Sequence, residues 1–312
     1  MRLLRHILTS LTPLLAASVA LCATAAPKDV HYETEDGVKV RARYHAAEGK
    51  TRSAVVLLHQ PGRSSEDWDY IAGKLSEKGV ASIAPDLRGH GESVATTEGE
   101  ELDRELFEPE DYAAMTYDVA AAVDYVRAKA GNGAEVQLVG ADVGGSAALL
   151  YAVDDPEVST LTLLSPGLMY DGVDTVDKVD AYGRRPLLIV VSMEDSYSAK
   201  SADVLKKEAR GVVHMQPYYG RGHGTKMINR EPDLEPLLIS WLLGTFKTDE
   251  GITLAEKMEL QAQDKGHGLT ALDEMAEEQR KRAEQALKAE QDSEKEGGEA
   301  VEGSDDQPKR WD

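Results

Sequence analysis

Apolar and polar residues alternate over Val30–Thr34 and again over Val38–Tyr44, with Asp36-Gly37 between the two runs. That is the pattern of a β-hairpin. From residue 54 the pattern changes. Ala54–His59, Val80–Pro85, Val136–Gly140, Leu161–Leu164 and Leu187–Ser192 are short runs dominated by apolar residues, and Val212–Tyr218 reads as a last strand. Such runs predict strands buried on both faces. Between them lie stretches with helical spacing: Ser65–Lys78 ending near Gly79, Glu110–Ala130, Val143–Val153, Ser198–Ala209 and a closing Leu234–Phe246. Strand and helix alternate from 54 to 246, which predicts an α/β fold. Its central sheet is mostly parallel, with helices on both faces and an antiparallel hairpin at its start. Only Glu92–Glu110 and Pro166–Arg185 are long enough to decorate the rim, and neither is long enough to form a large lid domain.

The ends of the chain read differently. Arg2 and Arg5 precede an apolar run, Ile7–Ala20, and Ala23-Thr24-Ala25 is a small-x-small cleavage pattern, so residues 1–25 read as a secretory signal peptide. Thr9, Ser10, Thr12 and Pro13 interrupt the apolar run, which argues for cleavage and against stable membrane insertion. The protein is therefore expected to be exported, to the periplasm or beyond the cell. Cys22, the only cysteine, offers a lipoprotein site as a minor alternative, although Leu21 is bulky for the position before a lipidated cysteine. If Cys22 leaves with the signal, the remaining chain has no disulfide, thiolate metal site or cysteine nucleophile. After the α/β region, 26–248, residues 249–292 look helical but charged nearly all round, and 293–312 have the composition of a disordered acidic tail. From Asp249 to Asp312 there are 19 acidic and 9 basic residues. The formal charge of −21 argues against binding a phosphate backbone, so no nucleic-acid partner is expected. No metal-ligand spacing and no glycine loop for phosphates is present, so no cofactor and no metal are expected; the expected partner is a small-molecule substrate.

Candidate chemistry centres on Leu138–Ser146, a buried strand that turns sharply into a helix of small residues. That is the form of a nucleophile elbow, Gly-x-Ser-x-Gly, but here Asp142 stands at its centre between Gly140 and Gly144. Three other segments share its setting just after a predicted strand. They are His59-Gln60-Pro61-Gly62, Asp86-Leu87-Arg88-Gly89-His90-Gly91-Glu92-Ser93, and Gly222-His223-Gly224. With these four segments in this order across residues 30–246, the chain resembles the α/β-hydrolase superfamily, close to its dienelactone-hydrolase-like and serine-aminopeptidase-like branches.

The resemblance implies the roles. His223 takes the place of the family's catalytic base. Asp195, 28 residues earlier and after the Leu187–Ser192 strand, is its acidic partner, with Glu194 the competitor and Asp171 or Asp174 less favoured. The backbone N–H groups of Val143 and Gln60 are the oxyanion donors. The 86–93 stretch, His90 included, is a shaped structural loop. Trp68, Tyr112, Tyr170, Tyr182 and Tyr197 are candidates for lining a pocket or packing the rim.

An aspartate at the elbow leaves three readings. In the first, Asp142 is the nucleophile: its carboxylate forms an alkyl ester, and His223 with Asp195 activates water to hydrolyse it, as in haloalkane dehalogenases and epoxide hydrolases. The chain departs from those relatives in having Val143 where dehalogenases often place a tryptophan, and in lacking a lid with tyrosines. In the second, a serine enzyme has lost its nucleophile, and Asp142 caps the following helix on a scaffold that only binds. In the third, Ser146 or Ser165 replaces the missing serine, although neither is expected to hold the exposed, strained position. The expected activity is hydrolysis of a small ester-, halide- or epoxide-like substrate; the alternative is a catalytically degenerate binding protein.

Overall fold

The computed structural model describes residues 26–260, apart from positions 52, 132, 249, 250, 255 and 258. The expected signal segment and the acidic tail lie outside the described residues, as does most of the charged extension. The chain divides into two units, meeting between Phe246 and Lys247.

In the first unit the hairpin forms from β1 (Lys28–Glu33) and β2 (Val38–His45), turning through Gly37 at φ 83°. The strands that follow are β3 (Ser53–Leu58), β4 (Val80–Pro85), the short β5 (Ala95–Thr96), β6 (Glu135–Ala141), β7 (Val158–Leu164), β10 (Leu187–Ser192) and β11 (Val213–Tyr218). Among the described residues they make one nine-stranded sheet in the order β1-β2-β4-β3-β6-β7-β10-β11, with β5 paired to β2. Every pairing that involves β2 is antiparallel, and those from β4 through β11 are parallel. The expected fold class is the one observed. Every residue of β3, β4 and β10 is buried, which is why these strands read as unbroken apolar runs.

Helices α1 (Asp69–Ser76), α2 (Pro109–Ala113), α3 (Met115–Ala130), α4 (Val143–Asp154), α5 (Val176–Ala181), α6 (Ser196–Glu208) and α7 (Leu234–Leu242) cover the sheet. Helices α3 to α6 form a row on one side, each packed on the next, while α1 packs against α7. The row closes the main core: Val56 and Leu58 of β3 meet Val119 and Val123 of α3 and Ala147 and Ala148 of α4. Small residues in α4 let it lie close to the sheet.

Several elements differ from the sequence expectation. The Ser65–Lys78 helix opens as a 3₁₀ turn, Ser65–Trp68, and becomes α-helical only at Asp69. The helix expected over Glu110–Ala130 is broken at Ala114, where the Thr116 hydroxyl donates back to the Ala113 carbonyl at 3.0 Å and competes with the helical ladder. The closing helix stops at Leu242 instead of Phe246, because Gly244 at φ 67° caps it and Thr245 and Phe246 turn back to the Ser240 carbonyl. The 166–185 link holds a small hairpin, β8 (Met169–Tyr170) and β9 (Val173–Asp174), followed by α5.

In the second unit, Lys247 and Thr253 form an isolated bridge, and Thr253 exchanges hydrogen bonds with Glu256.

Candidate active site

The C-terminal ends of β3, β6, β7, β10 and β11 converge, and the side chains singled out in the sequence stand there. Asp142 follows β6 directly. Its N–H donates to the Leu164 carbonyl at 3.0 Å, so it stays tied to the sheet while the chain turns into α4. The turn is tight enough to force Asp142 to φ 54°, ψ −124°, a conformation that side chains other than glycine rarely adopt. Its neighbours must be small. A Cβ on Gly140 would overlap the Gly144 carbonyl, and one on Gly144 would lie 2.5 Å from the His59 carbonyl oxygen.

The Asp142 carboxylate makes two contacts. Oδ1 accepts the N–H of Val143, the first residue of α4, and Oδ2 meets His223 Nε2 at 2.6 Å. His223 Nδ1 meets Asp195 Oδ2, also at 2.6 Å. Asp195 is the N-cap of α6, accepting Ser198 N–H at 3.2 Å and the Ser198 hydroxyl at 2.7 Å. The Tyr170 hydroxyl lies 2.9 Å from Ser198 Oγ and also donates to the Ser165 carbonyl at 3.3 Å. A continuous chain thus runs from Tyr170 through Ser198, Asp195 and His223 to Asp142. The side chains of Asp142 and Asp195 are 13% and 19% exposed and that of His223 is 34% exposed, so the imidazole is the most open of the three.

Both ring nitrogens of His223 face carboxylates, which only accept, so the imidazolium form satisfies both. The Asp142 contact is the main cause that holds the His223 pKa above its ordinary value; burial opposes it and Asp195 adds to it. At Asp195 burial works to raise the pKa, but hydrogen bonds from His223 and Ser198 outweigh it and hold it below the usual value.

Glu194 is not the partner of His223. It turns outward and pairs with Arg221 at 3.1 Å. Asp174 accepts the Val176 N–H at 2.9 Å.

The loop that carries His223 is held by two residues whose side-chain roles are not legible in sequence. Gln60, after β3, donates through Nε2 to the His223 carbonyl at 3.3 Å, and its Oε1 accepts Thr225 N–H at 3.0 Å and the Thr225 hydroxyl at 2.8 Å. Ser165 Oγ accepts Gly224 N–H at 2.9 Å. Gly224 sits at φ 54°, and a Cβ there would lie 2.6 Å from Gln60 Oε1, so the residue after the histidine has to be glycine. Ser165 itself is at φ 49°, a strained conformation that its sequence gives no reason to expect. It is nevertheless fully buried with its hydroxyl committed to Gly224, and Ser146 is 3% exposed within α4. Neither stands at the centre of the site.

The 86–93 loop is bound into the scaffold as expected. Asp86 accepts Ser65 N–H at 2.8 Å and Glu92 N–H at 3.1 Å, and Arg88 is clamped by Asp118 and Asp36. His59 donates Nδ1–H to the Gln60 carbonyl at 2.9 Å and accepts Leu87 N–H on Nε2 at 3.0 Å, joining this loop to the one after β3. Of the five aromatic candidates, Trp68 and Tyr182 are core residues, 0% and 2% exposed. Tyr170 presents its ring edge-on to His223, with centroids 6.3 Å apart, and also packs against Tyr197. Tyr112 packs edge-on against Phe107.

Among the described residues, no group of three or more His, Cys, Asp or Glu side chains is placed to hold a metal ion, and no helix is long and apolar enough to cross a membrane.

The chain has the α/β-hydrolase fold. A family model described as alpha/beta hydrolase fold matches residues 53–195, from β3 to the end of the loop that holds Asp195. Solved structures share the fold at low identity. DcsB, solved in complex with its substrate analogue, superposes with a TM-score of 0.59 at 14% identity, covering 75% of this chain and all (100%) of that one. A monoglyceride lipase from Saccharomyces cerevisiae gives 0.56 at 14%, covering 72% and 97%. A dienelactone hydrolase from Anabaena variabilis gives 0.52 at 18%, covering 70% and 98%. Comparison with curated proteins finds no match.

Proposed function

We propose that this protein is an exported hydrolase that opens a small organic substrate through a covalent ester on Asp142. The observation that carries the reading is the placement of one carboxylate. Asp142 occupies the strained elbow with Oδ1 on the Val143 N–H and Oδ2 on a histidine whose other nitrogen is held by an acid. A carboxylate needs no base to attack an electrophilic carbon. Oδ2 forms the new C–O bond as the leaving group departs with its electron pair, and the other oxygen becomes the ester carbonyl, already at the Val143 N–H. His223 then takes a proton from water, and hydroxide adds to Cγ of Asp142. The developing oxyanion is stabilised by Val143 N–H and, by resemblance, Gln60 N–H. Collapse breaks the bond between Cγ and the alkyl oxygen, and the departing alkoxide takes its proton from His223.

The electrostatics suit this order. The hydrogen bond to Asp142 is the main cause that raises the His223 pKa, and the Asp142 charge adds to it. Esterification removes that charge, so the imidazole holds its proton less tightly at the step that needs a base. An acyl ester is the poorer substrate, because carboxylate attack on it gives an anhydride.

One observation favours a second reading. The bond from Val143 N–H makes Asp142 the N-cap of α4, which alone would justify an acid there on a scaffold that binds without reacting. Trapping separates the two. In His223→Gln, the first step proceeds and the second stalls, so intact-protein mass spectrometry after incubation with alkyl halides and epoxides is expected to show the alkyl mass on Asp142. Absence of an adduct with every electrophile tested overturns the nucleophile reading.

A further inference from the structure

We propose that Ser198 is a positioning residue for the water-dependent step: its hydroxyl holds the Asp195 carboxylate in place against His223, while the attack of Asp142 on carbon does not depend on it. The proposal rests on the covalent reading of Asp142 and goes beyond it by assigning a residue to the second step alone.

Ser198 is the third residue of α6 and is fully buried. It grips both oxygens of Asp195. Its N–H donates to Oδ1 at 3.2 Å and its hydroxyl to Oδ2 at 2.7 Å. Oδ2 is also the atom that meets His223 Nδ1 at 2.6 Å. A donor on each oxygen fixes the plane of the carboxylate, and with it the direction from which Oδ2 faces the imidazole. Capping the helix needs only the first of these bonds. Asp103 caps its 3₁₀ turn by accepting the Glu105 N–H at 3.0 Å. In a capping box the side chain at the Ser198 position would reach back to the N–H of the cap residue. Here the Asp195 N–H already donates to the Ser192 carbonyl at 3.1 Å, and the hydroxyl goes to the carboxylate instead.

The hydroxyl is itself held, by the small hairpin on the rim, which turns through Asp171 at φ 49° and Gly172. Leu168 N–H donates to Ser201 Oγ at 3.3 Å, Met169 N–H donates to the Tyr197 hydroxyl at 3.0 Å, and the Tyr170 hydroxyl lies 2.9 Å from Ser198 Oγ. Three successive residues of the rim thus meet side chains from the first two turns of α6, and Ser198 joins this seam to the acid. The two chemical steps use that acid unequally. Asp142 attacks carbon as a carboxylate and needs no base. When His223 takes a proton from water, it becomes an imidazolium whose charge Asp195 must meet, ionised and in line with Nδ1. Burial works against that ionisation, and the bonds from His223 and Ser198 outweigh it. Without the hydroxyl, Oδ2 keeps His223 as its donor but the carboxylate is free to turn about its Cβ–Cγ bond.

The test follows both steps in single turnover with His223 in place, using a terminal epoxide and a primary alkyl iodide. Intact-protein mass spectrometry reads the gain of the alkyl mass on Asp142 and its later loss. Ser198→Ala removes the hydroxyl and keeps the N–H that caps α6; Ser198→Thr returns a hydroxyl. The expected result is that Ser198→Ala gains the mass at a rate within a few-fold of the parent but loses it about tenfold or more slowly, the worth of a hydrogen bond to a charged group. The ester then accumulates, and Ser198→Thr restores its loss. Equal slowing of both steps, or loss as fast as in the parent, overturns the proposal and leaves the nucleophile assignment intact. A second measurement needs no adduct. The proton NMR resonance of the His223 N–H that faces Asp195 is expected to shift in Ser198→Ala and to return in Ser198→Thr; a resonance that does not move overturns the positioning role. Absence of an adduct in His223→Gln with either electrophile overturns the covalent reading, and the assignment of Ser198 to its second step with it.

Discussion

At the scale of single residues, the site turns on how a carboxylate is held at the turn from β6 into α4. Asp142 is held at φ 54°, a conformation costing roughly 1–3 kcal/mol that a mere helix cap does not require. Other N-caps here, such as Asp195 at φ −86° and Asp103 at φ −103°, cap their helices without it. The strain stands the side chain above the sheet within reach of His223. The neutral, nearly isosteric Asp142→Asn keeps the cap and removes only the charge, so it imitates the electrostatic effect of the ester intermediate. His223 is then expected to titrate at lower pH, followed through the imidazole resonances by NMR. An unchanged titration means that Asp142 does not hold the proton and that the proposed timing of base release is wrong. Asp142→Ser asks a different question of the same position. Its hydroxyl would face His223 Nε2 and the Val143 N–H, and it is expected to create hydrolysis of small activated esters that the parent lacks. A subsequent His223→Ala should lower that activity by about 10²–10⁴-fold. Failure to gain esterase activity would show that the surrounding groups do not form a serine-type site.

At the scale of elements, the elbow is a contact between backbones, and glycines serve it unequally. Gly144 in α4 lies against the His59 carbonyl, which belongs to the β3 end carrying Gln60, whereas Gly73 in α1 has nothing within 4 Å of a Cβ. An alanine at either helical position gains up to about 1 kcal/mol of helix propensity. At Gly144 that gain is outweighed, because the atom met is backbone and cannot rotate away, and overpacking costs about 1–3 kcal/mol or more. Gly144→Ala is expected to lower the urea midpoint and Gly73→Ala to raise it; a rise in both would mean that the elbow has slack. The close packing at Gly140 and Gly144 was legible from residue type alone, since a strand running into a small-residue helix leaves few alternatives. The tether of the His223 loop was not. Gln60 reaches Thr225 across 165 positions, and nothing near Gln60 in the chain announces a partner so distant. The break at Ala114 depends on one threonine hydroxyl choosing a carbonyl, and the β8–β9 hairpin is two residues per strand, too short for any alternation to register. Ser198 was within reach of sequence reasoning: an aspartate before a helix with a serine three residues on is a capping pattern, although not one that reveals the service to His223.

At the scale of the whole molecule, the histidines pull stability in opposite directions with pH. His223 has its folded pKa raised, so its contribution is complete below the unfolded value of about 6.5 and is lost as pH rises through the folded one. Asp195 has its folded pKa lowered, so its contribution is complete above about 3.9 and is lost as pH falls through the folded one. Between about pH 4 and 6.5 these two therefore impose almost no slope. In that window histidines buried in neutral form lower stability as pH falls, and the carboxyls of Asp118 and Asp171, whose folded pKa values are raised, work against them. His59 is fully buried, and desolvation first, then neighbouring His90, bring it down to about 4. His90 and His45 are lowered as well, chiefly by burial. For each, the unfolded chain binds the proton that the folded one refuses, so stability falls as pH drops below about 6.5. At His59 alone the difference amounts to about 3 kcal/mol between pH 7 and pH 4. Neutralising carboxylates on a chain of net charge −21 relieves repulsion and works in the opposite sense, so a net loss points to the buried histidines. Urea unfolding is therefore expected to show stability declining steadily from pH 7 to pH 4. His59→Gln should start lower, because the Leu87 N–H loses the acceptor geometry of the ring, and should decline less steeply. A parent profile that is flat or rising toward pH 4, or an unchanged slope in His59→Gln, would show that His59 does not remain neutral at the junction between the β3 and β4 loops.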